Sequence, residues 1–170
     1  MGSGPQVPGR GRLVLVTGTD AAHASAVGRA VASRLDLSLV VPVDTLAAMV
    51  VAQTPRNGPS VMEEVRRLLL AWSASLAVAE TYQLEGYDVV VTDSVLGEHL
   101  EDFLDLVAPE PLHLVVLGSV RSSGADPSPV TQLLRATPRR GLWLEPAERS
   151  PDDLAEVVLA RLGESLVTED

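Results

Sequence analysis

The feature that most constrains this chain is a regular alternation. Short unbroken apolar runs are separated by segments in which apolar residues recur at helical spacing. The runs are Leu13–Val16, Leu39–Val43, Asp88–Thr92 and Leu112–Leu117, with Gly141–Glu145 as a weaker fifth. An apolar run without polar alternation suits a strand buried on both faces. Strands of that kind joined by helices build a parallel sheet covered on each side. The expected fold class is therefore α/β: a three-layer domain with a five-stranded parallel sheet flanked by helices.

The helical segments follow from spacing and punctuation. Val27, Ala30, Val31 and Leu35 place one helix over about Ala24–Leu35, and a second is expected over Asp44–Gln53. A long helix over Ser60–Leu84 carries Val65, Leu69, Trp72, Leu76 and Ala79 on one stripe, and Gly86 closes it as a C-terminal cap. Glu98–Val107 is helical until Pro109 and Pro111 break it, and Val130–Ala136 forms one or two turns. Ser150, Pro151, Asp152 and Asp153 are a strong helix start, with the helix running to about Leu162. Thr54–Pro59 and Ser119–Pro129 are loops. The domain boundaries expected are a flexible leader over 1–12, one domain over 13–165, and a frayed tail over 166–170.

Composition removes several classes of function. The chain of 170 residues is the size of one domain, 46% hydrophobic and 21% charged. A net charge of −10 argues against a nucleic-acid partner, which needs Lys and Arg to neutralise phosphate. No apolar run is long enough to cross a bilayer, so no membrane partner is expected. The absence of cysteine removes disulfides and thiolate metal sites and favours a cytoplasmic location. Lysine is absent too, so no ammonium side chain is available for chemistry.

In a parallel sheet, ligands bind beyond the carboxyl ends of the strands. After the first strand the chain reads Gly18-Thr19-Asp20-Ala21-Ala22-His23-Ala24-Ser25. A phosphate-binding loop needs Gly, four residues, then Gly-Lys-Ser/Thr. Gly18 and Ser25 keep their places, but His23 stands at the second Gly and Ala24 at the Lys. A side chain at the second Gly crowds the backbone N–H groups that would wrap a phosphate. A charge pair about 4 Å apart is worth roughly 4 kcal/mol at an effective dielectric of about 20, so the missing Lys is a large loss. Only an Arg could replace it, and Arg29 lies one helical turn beyond Ser25. The plainer account is a tight strand-to-helix connection, with Ser25 solvated or bonded back to the helix and His23 an exposed loop residue. A dinucleotide fingerprint is excluded by the distance between Gly18 and Gly28, and a Tyr-x-x-x-Lys pair by the lack of lysine.

These segments, with Val41–Met49, Asp88–Gly97 and Gly141–Leu162, resemble the chloramphenicol phosphotransferase-like branch of the P-loop kinases. A second, local similarity of the Val16-Thr17-Gly18-Thr19-Asp20 stretch is to dethiobiotin synthetase-like proteins, which also use the missing lysine. The kinase resemblance implies ATP and magnesium as cofactors, with Gly18, Thr19, Asp20, His23 and Ser25 at the phosphate loop. It implies Asp44 as the carboxylate that takes the substrate hydroxyl's proton, Ser25 and Asp93 at magnesium, with Asp93 beside the substrate, and Arg135, Arg139 and Arg140 in a lid. The substitutions at His23 and Ala24 count against the nucleotide half and leave the substrate half around Asp44 standing.

Each residue also has a plainer account. Asp44 suits an N-cap, as does Asp93 before its helix. The three Arg suit a solvated loop, Trp72 and Trp143 suit the core, and His99 and His113 lack metal-ligand spacing. Ser94 and Ser119 have no histidine that the sequence places in reach. The expectation placed first is a kinase-fold protein with a degenerate nucleotide site that binds a small molecule near Asp44. The alternatives are an active small-molecule kinase with an unconventional loop, and a structural subunit that buries its cleft face against a partner or a second copy as a homo-oligomer.

Overall fold

The computed structural model describes residues 9–51, 60–118 and 128–168. The loop expected at Thr54–Pro59, together with Ser119 and the first eight residues of the leader, lies outside them. The strands are β1 (Leu13–Gly18), β2 (Ser38–Pro42), β3 (Asp88–Asp93), β4 (Leu112–Leu117), β5 (Leu142–Leu144) and β6 (Leu166–Val167). The helices are α1 (Ala21–Ala32), α2 (Val43–Ala48), α3 (Val61–Leu84), α4 (His99–Val107), α5 (Pro129–Ala136) and α6 (Pro151–Ala160).

Five strands are parallel in the order β2-β3-β1-β4-β5, the sheet the apolar runs predict. The sixth is a correction at the tail. Instead of fraying, the chain past Gly163 completes a 3-10 turn and pairs β6 antiparallel with β4, Leu112 opposite Val167. The leader is likewise anchored where it is described, since Gly11 donates to the Gln83 carbonyl at 2.9 Å.

Because each strand is apolar on both faces, the sheet supports two cores. On one face α1 and α6 pack Val27, Val31, Leu154 and Val158 against Val14, Val16, Val90 and Val115. Gly28 is required there: a Cβ would lie 2.3 Å from the Thr92 methyl, so α1 rests directly on β3. On the other face Trp72, Phe103 and Leu134 cover Leu15, Val41, Val89, Val91, Leu114 and Val116.

The helix ends follow local chemistry. Ser150 and Asp153 form a reciprocal capping box at α6, with Pro151 opening the helix. Gly86, at φ 87°, ends α3, with Tyr87 N–H bonded to the Tyr82 carbonyl at 3.1 Å and Gly86 N–H to Gln83 at 3.0 Å. The stripe expected on α3 is buried at Trp72 and Ala79, whereas Val65 is exposed and Ser75 and Gln83 are buried beside it. Gln83 is satisfied by donating its amide to the Gly11 carbonyl at 2.9 Å.

Candidate functional site

The carboxyl ends of β2, β3 and β1 bring the candidate residues to one edge. Thr17 is in register with Asp93, and Pro42 with Thr92. Asp44 and Asp20 each lie two residues past a strand end, so three carboxylates top three adjacent strands. None of the three is ion-paired among the described residues. Among those residues, no group of three His, Asp or Glu side chains is arranged to hold a metal ion.

The turn after β1 differs from the eight-residue loop the sequence suggests. Helix α1 begins at Ala21, not near Ala24, so only Thr19 and Asp20 separate it from β1. The reason is the cap. The Asp20 carboxylate accepts from Ala22 N–H at 2.9 Å and from His23 N–H at 3.2 Å, and the Asp20 carbonyl accepts from Ala24 N–H at 3.0 Å. The Ala22 and His23 N–H groups are among the donors a helix N-terminus otherwise offers to a bound anion. An Asp followed by two alanines, the best helix formers, starts a helix at once.

Ser25 therefore stands fifth in α1, inside the helix, and Ala24 is fully buried. Arg29 is exposed in the last turn, about 12 Å along the axis from the start of the helix. His23 belongs to the helix and is half-buried, a correction to its expected place in an exposed loop. Among the described residues its buried Nε2 has no hydrogen-bond partner.

The edge beside this turn is tied down. Thr17, fully buried, donates its hydroxyl to the Val95 carbonyl at 2.9 Å and accepts from Val95 N–H at 2.7 Å. Ser94 donates to the Gly18 carbonyl at 2.8 Å. Helix α5 lies over the same region: the Leu133 and Leu134 side chains lie close against Gly97 and Gly118, and Gly97 N–H donates to Thr137 Oγ1 at 2.8 Å.

Asp93 is held on both oxygens. Oδ1 accepts from Ser94 N–H at 2.8 Å, and Oδ2 accepts from Trp72 Nε1 at 2.8 Å. Trp72 is 1% exposed and packs edge-on to Phe103 and His99. A buried indole must place its N–H somewhere. That rule was available from the sequence, but the partner, 21 residues away on another element, was not.

Asp44 is exposed in the first turn of α2, with Oδ1 accepting from Thr45 N–H at 2.7 Å. It is not the N-cap, because α2 starts one residue earlier than expected, after Pro42, and ends at Ala48 rather than Gln53. Beyond it, Leu46, Ala47 and Val50 face Glu63, Arg67, Leu70, Ala71 and Ala74 of α3 across a half-open, mostly apolar cavity of about 430 Å³. Asp44 and Ala47 are three residues apart on α2, hence neighbours on one face.

Two of the three Arg residues expected in a lid make contacts elsewhere. Arg139 stacks 4.1 Å from the centre of the Trp143 ring. Arg140 pairs with Glu101 at 3.4 Å, and its carbonyl accepts from Trp143 Nε1 at 3.1 Å. Both stand at the amino end of β5, while Arg135 is exposed in the last turn of α5.

No protein-family profile matches the sequence, and no curated protein matches it. Solved structures do match in shape. The chain is similar to the tunicamycin resistance protein of Deinococcus radiodurans, with a TM-score of 0.65 and 16% identity over 94% of this chain and 100% of that one. It is similar to the APS kinase of Mycobacterium tuberculosis in complex with AMPPNP and APS, with a TM-score of 0.60 and 21% identity over 92% and 99%. A gluconokinase from Sinorhizobium meliloti aligns with a TM-score of 0.52 and 20% identity over 93% of each chain. The chain thus has the α/β fold of the P-loop kinases, as its resemblance to that group implies.

Proposed function

We propose that this protein is a small-molecule-binding member of the P-loop kinase fold that carries out no ordinary ATP-dependent transfer. The observation that carries the proposal is the turn after β1. Asp20 supplies its own carboxylate to the Ala22 and His23 N–H groups, where a kinase would present donors to phosphate. A carboxylate at that place also repels a second anion; the chain has no Lys, and among the described residues no nearby Arg offsets it.

The ligand site of this reading is the α2–α3 cavity next to Asp44. Its lining is apolar apart from Glu63 and Arg67, and its size suits a compact organic molecule. Asp44 contributes an exposed acceptor for a hydroxyl at the rim. The neighbouring kinases act on small molecules, and the antibiotic-resistance neighbour is named for one, which is consistent with this choice of ligand class.

Thermal unfolding with ligand tests both halves. Binding to the folded state alone at about 100 times the dissociation constant adds roughly 2.7 kcal/mol. ATP and GTP at millimolar concentration, with and without magnesium, are expected to leave the transition unmoved. A panel of amphipathic hydroxylated molecules is expected to contain members that raise it, and Ala47→Trp, which fills the cavity, to remove that rise. A magnesium-dependent shift with nucleotide would overturn the reading.

A further inference from the structure

The α2–α3 cavity carries its charges on one wall. Glu63, Arg67, Leu70, Ala71 and Ala74 line it from α3, recurring at helical spacing and so sharing one stripe of that helix. The facing wall on α2, made by Leu46, Ala47 and Val50, is apolar. One acid and one base therefore stand beside an apolar space of about 430 Å³.

The two charges are paired, but loosely. Arg67 Nη2 lies 3.5 Å from Glu63 Oε1, against about 2.7–2.9 Å for a charged hydrogen bond. Both side chains are part-exposed, and among the described residues neither has a second ion-pair partner. A guanidinium carries five N–H donors and a carboxylate two acceptor oxygens, so most of the pair's bonding capacity remains for a ligand.

An opposed pair of charges restricts what can dock on it. A lone cation that takes Glu63 meets Arg67 as a like charge, and a lone anion that takes Arg67 meets Glu63. A neutral molecule displaces water from both groups and gives neither a charged partner in return. A ligand with both charges gains at each group and adds no net charge to the wall. We infer that the cavity takes a zwitterion of the α-amino acid type, its carboxylate on Arg67, its ammonium on Glu63 and a bulky apolar side chain in the space beside Leu46 and Leu70. The two charges of an α-amino acid hang on one carbon, a closeness that suits partner groups 3.5 Å apart. Ala47, Ala71 and Ala74 leave the room that a bulky side chain fills. This assignment rests on the cavity being the ligand site and adds the charge of what enters it.

Titration calorimetry of the full chain tests it with four molecules that share one hydroxylated ring. L-tyrosine is the zwitterion, tyramine the cation, para-hydroxyphenylpropionic acid the anion and para-ethylphenol the uncharged body. Tyrosine is expected to bind on the order of tenfold more tightly than each of the others. Glu63→Gln is expected to weaken tyrosine and tyramine while strengthening the acid. Arg67→Gln is expected to weaken tyrosine and the acid while strengthening tyramine. A merely structural disturbance of α3 would weaken all four alike. If tyrosine binds no better than one of the other three, or if both Gln variants leave its preference unchanged, the inference is overturned and the cavity reading stands. If none of the four binds, the inference falls, and the wider ligand panel with Ala47→Trp decides the cavity reading separately. Tyrosine binding that Ala47→Trp leaves intact places the ligand elsewhere and overturns both.

Discussion

The two ends of the central sheet are built on different principles. At the amino end, opposite charges meet. Asp88 opens β3 and accepts from Arg12 three times, from its backbone N–H at 2.8 Å, Nε at 3.0 Å and Nη2 at 2.6 Å. His113 on β4 reaches the C-terminal turn, its Nδ1 lying 3.1 Å from the Leu162 carbonyl and 2.9 Å from Ser165 Oγ. Ser165 already gives its hydroxyl proton to Leu162 at 2.6 Å, so Nδ1 carries the hydrogen. At the carboxyl end, by contrast, Asp20, Asp44 and Asp93 meet, among the described residues, only N–H and O–H donors of their own turns and the indole of Trp72. One end is closed by ion pairing and carries stability. At the other, the three carboxylates make no ion pair among the described residues, at the strand ends where folds of this kind bind ligands.

The contrast can be broken most forcefully from the carboxyl end. Trp72→Ala removes a buried aromatic side chain as well as the donor to Asp93, and is expected to cost about 3–5 kcal/mol in chemical denaturation. Trp72→Phe keeps most of the packing and deletes the N–H; it is expected to cost less and to report the polar contact alone. At the amino end, Asp88→Asn leaves Arg12 without its carboxylate, and a loss of about 1–3 kcal/mol is expected. Asp20→Ala, which frees two N–H groups at the start of α1, is expected to cost about 1 kcal/mol. If the same substitution brought a shift with nucleotide and magnesium, Asp20 itself would be the barrier to phosphate.

Acid sharpens the comparison, because the titrating groups with displaced pKa values that help hold the sheet lie at the amino end. Burial holds the His113 imidazole below its ordinary value of 6.5. The unfolded chain therefore takes up that proton first, and stability drops as pH falls from 6.5 through the folded value. Burial pushes Asp88 upward, but the hydrogen bonds from Arg12 outweigh it and leave the carboxyl below its ordinary 3.8. Stability tied to that pair is present above 3.8 and is lost as pH falls through the lower folded value. Denaturation midpoints measured at falling pH should show both steps, and His113→Gln should remove the first.

How much of this was legible in the sequence depended on whether a signal was local. The five parallel strands were, since each is a continuous apolar run, and so were the Ser150 capping box and the Gly86 helix end. The start of α1 was misplaced because a phosphate-loop spacing was laid over Gly18–Ser25, while the local pattern of Asp20 before two alanines was the stronger determinant. Strand β6 was missed because two residues carry no periodicity and gain their order from β4. Asp44 and Asp93 were placed at strand ends because strand ends are identifiable, whereas Asp20 was read only as part of a phosphate loop. The Trp72–Asp93 bond and the Thr17–Val95 clasp were not, since both join residues that only the fold brings together.

The three carboxylates topping adjacent strands have a consequence for anything arriving from solution. Asp20 and Asp44 are exposed and Asp93 is half-buried, and on an acidic chain all three add negative potential at this edge. A polyphosphate approaches against that potential, and physiological salt shortens its reach to about 8 Å without abolishing it at the edge. A cation is drawn toward that potential, and a neutral molecule meets no such barrier. The potential therefore acts on an approaching ion before any contact is made.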